Sequence, residues 1–338
     1  MISGFETRIF ITGIYRSGTT LVSRMLNNHS KLWVTYDSVH FMRFSYGKYE
    51  PIRDADQAMR LVQEIHDRIL KRWKMEFNLD KAISEIRKLK KIEYKHIYDI
   101  VMKALASDCA KIVTGWGEKT NVCWGQIPNF LQMFPSGKVI HVLRDPRDVL
   151  CSYREMTYEP GYSYLDSVFC SQHSFQKAVE YRETLDPDNY YILKYENFVD
   201  NPLTEAKRLC KFLRIKFEPA MLDVKQFKDR QGRRWTGDSS FNKKMNTVSS
   251  APAGRWKKSA DPFEIFFAEL VNNKVMQHFG YELSGIKIRR SFRERLDEIL
   301  LENGLLKERY DHWQKTGEGV EAYPSLTGIK KESLNVKV

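Results

Sequence analysis

Apolar positions along the chain change their spacing several times, and each change marks an element. Arg8 to Gly13 (RIFITG) is a short β-branched and aromatic run that predicts a buried strand. It runs into Gly13-Ile-Tyr-Arg-Ser-Gly18-Thr-Thr, after which Leu21, Val22, Met25 and Leu26 recur at helical spacing and stop near Asn27-Asn28. From Ile52 to Thr114 there is neither Gly nor Pro. Ala58, Leu61, Val62, Ile65 and Ile69 form one helical stripe there, and Ile97, Ile100, Val101, Ala104 and Leu105 form another, so the stretch predicts consecutive helices inserted between strands. KVIHVL (138–143) and YYIL (190–193) predict two further strands. Phe198 to Leu213 reads as a helix entered through an Asp-Asn-Pro turn, and Phe263 to Phe279 as another that stops at Gly280. Beyond about Arg289 an amphipathic helix carrying Leu296, Ile299, Leu300 and Leu305 leads into a polar tail.

Strands alternating with helices predict an α/β fold: a central, mainly parallel sheet flanked by helices in three layers. The helical insert falls at about 52–114, a basic loop at about 225–258, and a C-terminal helix and tail at 286–338, leaving 1–285 as the main domain. A chain of 338 residues that is 42% hydrophobic buries enough surface to need neither disulfides nor a structural metal. The five cysteines are scattered with no Cys-x-x-Cys pair, so no metal is expected. No apolar run approaches a membrane span and the first residues lack a signal-peptide pattern, so a cytoplasmic location is expected. Net charge is +12, and residues 225–258 hold ten Lys/Arg against Asp229 and Asp238. Such a segment suits an anionic partner, but no helix-turn-helix, zinc-finger or RNA-recognition signature accompanies it, and nucleic acid is set aside.

The chemistry begins at Gly13-x4-Gly18-Thr19-Thr20. Successive backbone N–H groups and a helix N-terminus there form an anion cradle, to which Thr19 and Thr20 add hydroxyls and Arg16 a cation. Thr19 stands where nucleotide-hydrolysing loops carry lysine. A second anion element is Arg144-Asp-Pro-Arg-Asp-Val-Leu-Cys-Ser152, with Arg144 at the end of a strand, where ligands bind in open α/β sheets. Arginine rather than a carboxylate at that position favours another phosphate over Mg²⁺. Asp145 and Asp148 read more simply as helix N-terminal charges or partners of Arg147.

These motifs together resemble the 3′-phosphoadenosine-5′-phosphosulfate (PAPS)-dependent sulfotransferases, nearer the bacterial and Golgi-type branches than the cytosolic steroid and phenol enzymes. YRSGTTL (15–21) is similar to their 5′-phosphosulfate loop, RDPRDVLCS (144–152) to their 3′-phosphate motif, and LKYENFVDNP (193–202) to their Tyr-Glu strand signature. GEKT (117–120) matches their Glu-Lys-Thr-Pro, with Asn121 in place of proline, and GRW (254–256) recurs near their C-terminal end. The resemblance covers roughly residues 8–283 and implies a P-loop-like fold and PAPS as co-substrate. It implies that Arg16, Ser17, Gly18, Thr19 and Thr20 hold the 5′-phosphosulfate, that Arg144 and Ser152 hold the 3′-phosphate, and that Tyr195, Ser250 and Arg255 add contacts. Two readings stand beside it: an ATP-dependent small-molecule kinase, and a non-catalytic protein that binds nucleotide or polyanion.

Sulfonate transfer needs stabilisation of the leaving oxygen, for which Arg16 is the candidate, and a base for the acceptor hydroxyl. Golgi-type relatives place a glutamate in the segment that reads Thr35-Tyr-Asp-Ser-Val-His-Phe41 here, which contains none. Asp37, His40 and Glu118 remain as alternatives; their plainer roles are a cap, a buried imidazole and an ion pair with Lys119. Lys119 faces the sulfonate or orients the base, or is an exposed strand-end lysine. The acceptor is a hydroxyl compound, and a mobile loop carrying Arg230, Arg233, Arg234, Lys243 and Lys244 over the cleft would favour an anionic or polar one.

Overall fold

The first strand forms where predicted: β1 spans Thr7–Gly13, and α1 spans Thr19–Asn27. The computed structural model describes residues 5–107, 112–155, 161–229, 232–235, 248 and 251–322. After α1 come β2 (Leu32–Tyr36) and the short α2 (Phe41–Phe44). The Gly- and Pro-free stretch folds as α3 (Ala55–Trp73), α4 (Leu79–Arg87) and α5 (Tyr94–Ala106), with Asp54 and Asn78 capping the first two through their side chains. Then follow β3 (Gly115–Lys119), α6 (Ile127–Met133), β4 (Lys138–Leu143), α7 (Pro146–Arg154), α8 (Ser167–Thr184) and β5 (Tyr190–Lys194).

The five strands form one parallel sheet in the order β2-β3-β1-β4-β5. β2 and β3 are additions to the sequence reading. β3 (GWGEK) carries two glycines and two charges, which hides it from any hydrophobic pattern. The packing explains the glycines: a β-carbon on Gly115 would lie 2.8 Å from Leu32 and 2.9 Å from the Thr7 carbonyl, between the two flanking strands.

Alternation along the strands divides the core. Phe10 and Trp116 face one way, toward the stripes of α3 and α5 (Leu61, Ile65, Ile97 and Val101). Ile9, Ile11 and Val34 face the other way, toward Leu21, Val22 and Met25 of α1. That second face also receives α9 (Tyr195–Asp200) and α10 (Pro202–Leu213). The helix expected after the Asp-Asn-Pro turn is α10, with Asn201 as N-cap and Pro202 in its first turn, and the short α9 before the turn is an addition.

α11 (Trp256–Ser259) and α12 (Pro262–His278) follow; Asp261 and Glu264 form a capping box on α12. The helix expected beyond Arg289 is also two, α13 (Arg290–Glu302) and α14 (Gly304–Thr316), broken at Asn303, whose side chain caps α14 at Leu306 N–H. The break re-phases the apolar face, so Leu306 is buried in place of Leu305. Both helices pack on α8 and α12 through Phe292, Leu296, Ile299, Leu300 and Leu306. No helix among the described residues is long and apolar enough to cross a membrane.

Candidate active site

The loop between β1 and α1 is shaped by its backbone. Gly18 is the N-cap of α1 at φ 98°, and a β-carbon there would land in the Tyr195 ring, so conformation and contact both require glycine. Arg16 is also left-handed, at φ 71°. Ser17 Oγ donates to the Ile14 carbonyl (2.7 Å), and no side chain caps the first turn of α1 and no acid lies in it. This is the arrangement an anion needs at a helix N-terminus.

The second anion motif meets the first directly. Arg16 Nε donates to Ser152 Oγ at 3.0 Å, and Arg144 Nη1 donates to the Arg16 carbonyl at 2.8 Å. The Arg144 guanidinium lies 4.5 Å from the centre of the Tyr195 ring, and its Nη2 donates to the Pro252 carbonyl at 2.5 Å. Residues 16–20, 144–152, 195 and 252–256 therefore converge at the C-terminal ends of β1, β4 and β5.

Asp145 fulfils its simple reading: it caps α7 at Arg147 N–H and pairs with the Arg147 side chain at 2.7 Å. Asp148 does not. Its two oxygens accept from Gly254 N–H (2.7 Å) and Trp256 N–H (3.0 Å), and it lies 3.8 Å from Arg144. It fastens the Gly-Arg-Trp segment to the phosphate motif, and burial raises its pKa. Arg255 reaches Glu155 at 3.3 Å. Ser250, Arg230, Lys243 and Lys244 lie outside the described residues. Of the basic segment that is described, Phe227 and Trp235 are buried beside α1, Lys228 bridges to Arg234, and Arg233 pairs with Asp229 at 2.9 Å.

The third group sits at the ends of β2 and β3. Lys119 is 1% exposed and ion-paired with Asp37, so it is not an exposed strand-end lysine. Glu118 points to the opposite face and does not pair with Lys119. It accepts from the backbone N–H groups of His40 and Phe41 (3.2 Å for the latter) and from the Tyr98 hydroxyl. Burial pushes its pKa up to about 7. Asp37 and His40 are both left-handed, at φ 46° and 49°, strain of the kind found where a loop must aim particular side chains. His40 is buried with neither ring nitrogen hydrogen-bonded, and burial and then Arg43, Arg68, Arg72 and Lys119 hold its pKa well below the imidazole range.

Sequence reasoning missed Asn121, which it read only as a substituted proline. Its Oδ1 accepts from Thr19 Oγ1 at 2.7 Å, and its carbonyl accepts from Arg43. One buried residue thus joins the first turn of α1 to Arg43 of α2. The only sequence signal for it was its place directly after Lys119-Thr120. Among the described residues there is no cluster of three potential metal ligands.

A model of the sulfotransferase family matches residues 8–219. The curated omega-hydroxy-beta-dihydromenaquinone-9 sulfotransferase Stf3 of Mycobacterium tuberculosis (strain CDC 1551 / Oshkosh) is 32% identical over 99 residues, or 26% of each chain. The match to it, and to its counterpart in Mycobacterium bovis, thus spans about a quarter of those relatives. A putative protein-tyrosine sulfotransferase of Caenorhabditis briggsae is 24% identical over 228 residues, 66% of this chain and 70% of that one. Among solved structures, the sulfotransferase domain from the curacin biosynthetic pathway superposes with a TM-score of 0.53 at 20% identity, over 83% of this chain and 99% of that one. The sulfotransferase domain of the Synechococcus PCC 7002 olefin synthase gives 0.52 at 17% identity, over 83% and 96%. At these identities the likeness is one of fold, and it is the fold the sequence predicted. Since the family model matches well over half of its residues, and the loop, the arginine–serine motif and the tyrosine meet in one place, the chain belongs to the sulfotransferase family.

Proposed function

We propose that this chain transfers the sulfonate of PAPS to a hydroxyl acceptor by in-line displacement. The observation that carries the reading is the 3.0 Å bond from Arg16 to Ser152, which joins two anion-binding motifs into one double site. The residues suit a ligand with separate 5′ and 3′ anionic groups: an uncapped helix N-terminus with Arg16 for one, and Arg144 with Ser152 for the other. PAPS supplies an activated sulfonate. The acceptor oxygen bonds to sulfur as the bond from sulfur to the 5′-phosphate oxygen breaks, and 3′-phosphoadenosine-5′-phosphate (PAP) leaves.

Arg16 stabilises charge on the departing oxygen, with Lys119 as a second cation at the same end of the sheet. Asp37 takes the hydroxyl proton. It is favoured over His40, whose ring lies among four cations that weaken it as a base, and over Glu118, which three donors hold on the far face. Glu118 acts as a positioning residue that fixes the loop carrying His40.

Thermal shift measures the cofactor half of the reading. PAP at a hundred times its dissociation constant should add roughly 2.7 kcal/mol of stability, AMP much less, and EDTA should change neither result. Equal stabilisation by AMP would refute the double site, and an ATP response that requires Mg²⁺ would move the reading to a kinase. A screen for acceptors that gain the mass of one sulfonate completes the test.

A further inference from the structure

The His40 ring is the least satisfied polar group in the molecule's candidate site. It is 1% exposed, and neither Nδ1 nor Nε2 has a hydrogen-bond partner. A neutral imidazole offers one donor and one acceptor, so burial with both idle is costly unless something supplies the complementary pair. The loop is built to keep the ring there, since Glu118 binds the backbone N–H of His40 and holds its left-handed conformation.

The surroundings indicate what the missing partner is. The Phe44 ring is shared by three groups: His40 edge-on at 5.7 Å between ring centres, the Arg43 guanidinium at 5.7 Å, and the Arg68 guanidinium at 5.1 Å. Arg68 donates to the Val39 carbonyl, and Arg43 to the Asn121 and Val122 carbonyls (3.0 Å for the latter), so both heads are held in place. Arg72, one turn further along α3, acts on the ring as well, as does Lys119 from β3. Among the described residues the acids facing this cluster are Asp37, paired with Lys119, and Glu118, which faces the backbone. Asn121 links this cluster to Thr19 of the anion loop, so the cluster adjoins the reacting end of the site.

We infer that the acceptor carries an oxyanionic group, a carboxylate, sulfate or phosphate, seated between the His40 ring and the Arg68 and Arg72 guanidiniums, beside the hydroxyl to be sulfonated. An oxyanion accepts from the ring N–H while a second hydroxyl of the same molecule, other than the one Asp37 deprotonates, donates to the other nitrogen, which is the pair the ring lacks. The inference rests on the sulfonate-transfer reading and moves the source of anion selectivity from the basic loop to the helical insert.

Inorganic sulfate is the probe, titrated into the full chain already saturated with PAP. Sulfate should raise the melting temperature further and shift the His40 ring signals in ¹H–¹⁵N spectra, raising its apparent pKa. Arg68→Gln with Arg72→Gln should weaken sulfate at least tenfold while PAP affinity changes less than twofold. No response in the PAP-saturated wild type overturns the inference. So does a response kept by the double variant but lost in Arg16→Ala, because sulfate would then occupy the sulfonate position. If the double variant does not fold, the wild-type His40 titration alone decides. Failure of PAP to stabilise the protein would refute the cofactor reading, and sulfate titrated without PAP would still test the Arg68/Arg72 seat.

Discussion

Arg16 and Arg144 touch each other, yet the proposed reaction gives them separate roles. Arg16 lies in the anion loop at a strained left-handed backbone and bonds Ser152, whereas Arg144 is packed on Tyr195 and holds two carbonyls. Charge grows on the 5′ leaving oxygen during transfer and stays nearly constant on the 3′-phosphate. Arg16→Ala should therefore lower kcat by about 10²–10³, the scale of losing one preorganised donor. Arg144→Ala should chiefly raise the dissociation constant of PAP, which calorimetry measures alongside steady-state rates. Interchanged effects would mean that the two roles are interchanged. At this scale the sequence was legible wherever the candidate site is a contiguous motif, as in Arg16–Thr20 and Arg144–Ser152, which the fold brings together. It was not legible for Asn121 and Asp148, whose partners Thr19 and Gly254 are 102 and 106 residues away. Only the folded sheet brings those pairs together, and no local pattern records them.

Elements with one apolar face were legible, and elements buried on both faces by small or charged residues were not. α3 shows its stripe because one side meets solvent. β3 does not, because its glycines answer the crowding of neighbouring strands and its Glu118 and Lys119 are buried against specific partners on opposite faces. The segment before α11 is held by another such partner, the Asp148 carboxylate, which receives two backbone N–H groups. Asparagine there must turn an NH₂ toward one of those donors. Asp148→Asn should cost roughly 2–3 kcal/mol, the price of a lost charge-assisted bond and an unsatisfied buried donor. Because Arg144 also holds the Pro252 carbonyl, PAP affinity should fall about tenfold in the same variant. Urea unfolding and calorimetry would give both numbers, and unchanged PAP binding would show that residues 252–256 do not shape the site.

At the scale of the whole molecule, α13 and α14 dock through an apolar cluster, and one buried ion pair lies beside it. Arg309 of α14 lies 3.5 Å from Asp166 at the start of α8, and Asp166 is fully buried. Burial pushes the Asp166 pKa up to about 7, and the nearby Arg309 offsets only part of that rise. Beyond α14 the chain returns to α8 and the segment before α6, where Val320 N–H donates to the Phe169 carbonyl (3.2 Å) and Glu321 accepts from Gly125 N–H (2.9 Å). Between the ordinary aspartate pKa and 7 the folded protein holds a proton that the unfolded chain has released. Stability from this group is therefore greatest at low pH and is lost as pH rises through 7. Asp166→Asn should flatten that part of the stability–pH curve. Its coupling with Arg309 runs the opposite way, because only a charged Asp166 attracts the guanidinium. A double-mutant cycle of Asp166→Asn and Arg309→Met, measured by urea unfolding, should give a large coupling energy at pH 8 and a small one at pH 5. Arg309→Met alone should destabilise the protein by about 1–1.5 kcal/mol more at pH 8 than at pH 5, the limit being set by the carboxylate taking up a proton once its partner is gone. Equal coupling at both pH values would mean that Asp166 does not change charge between them, and that packing rather than electrostatics holds α14 on α8.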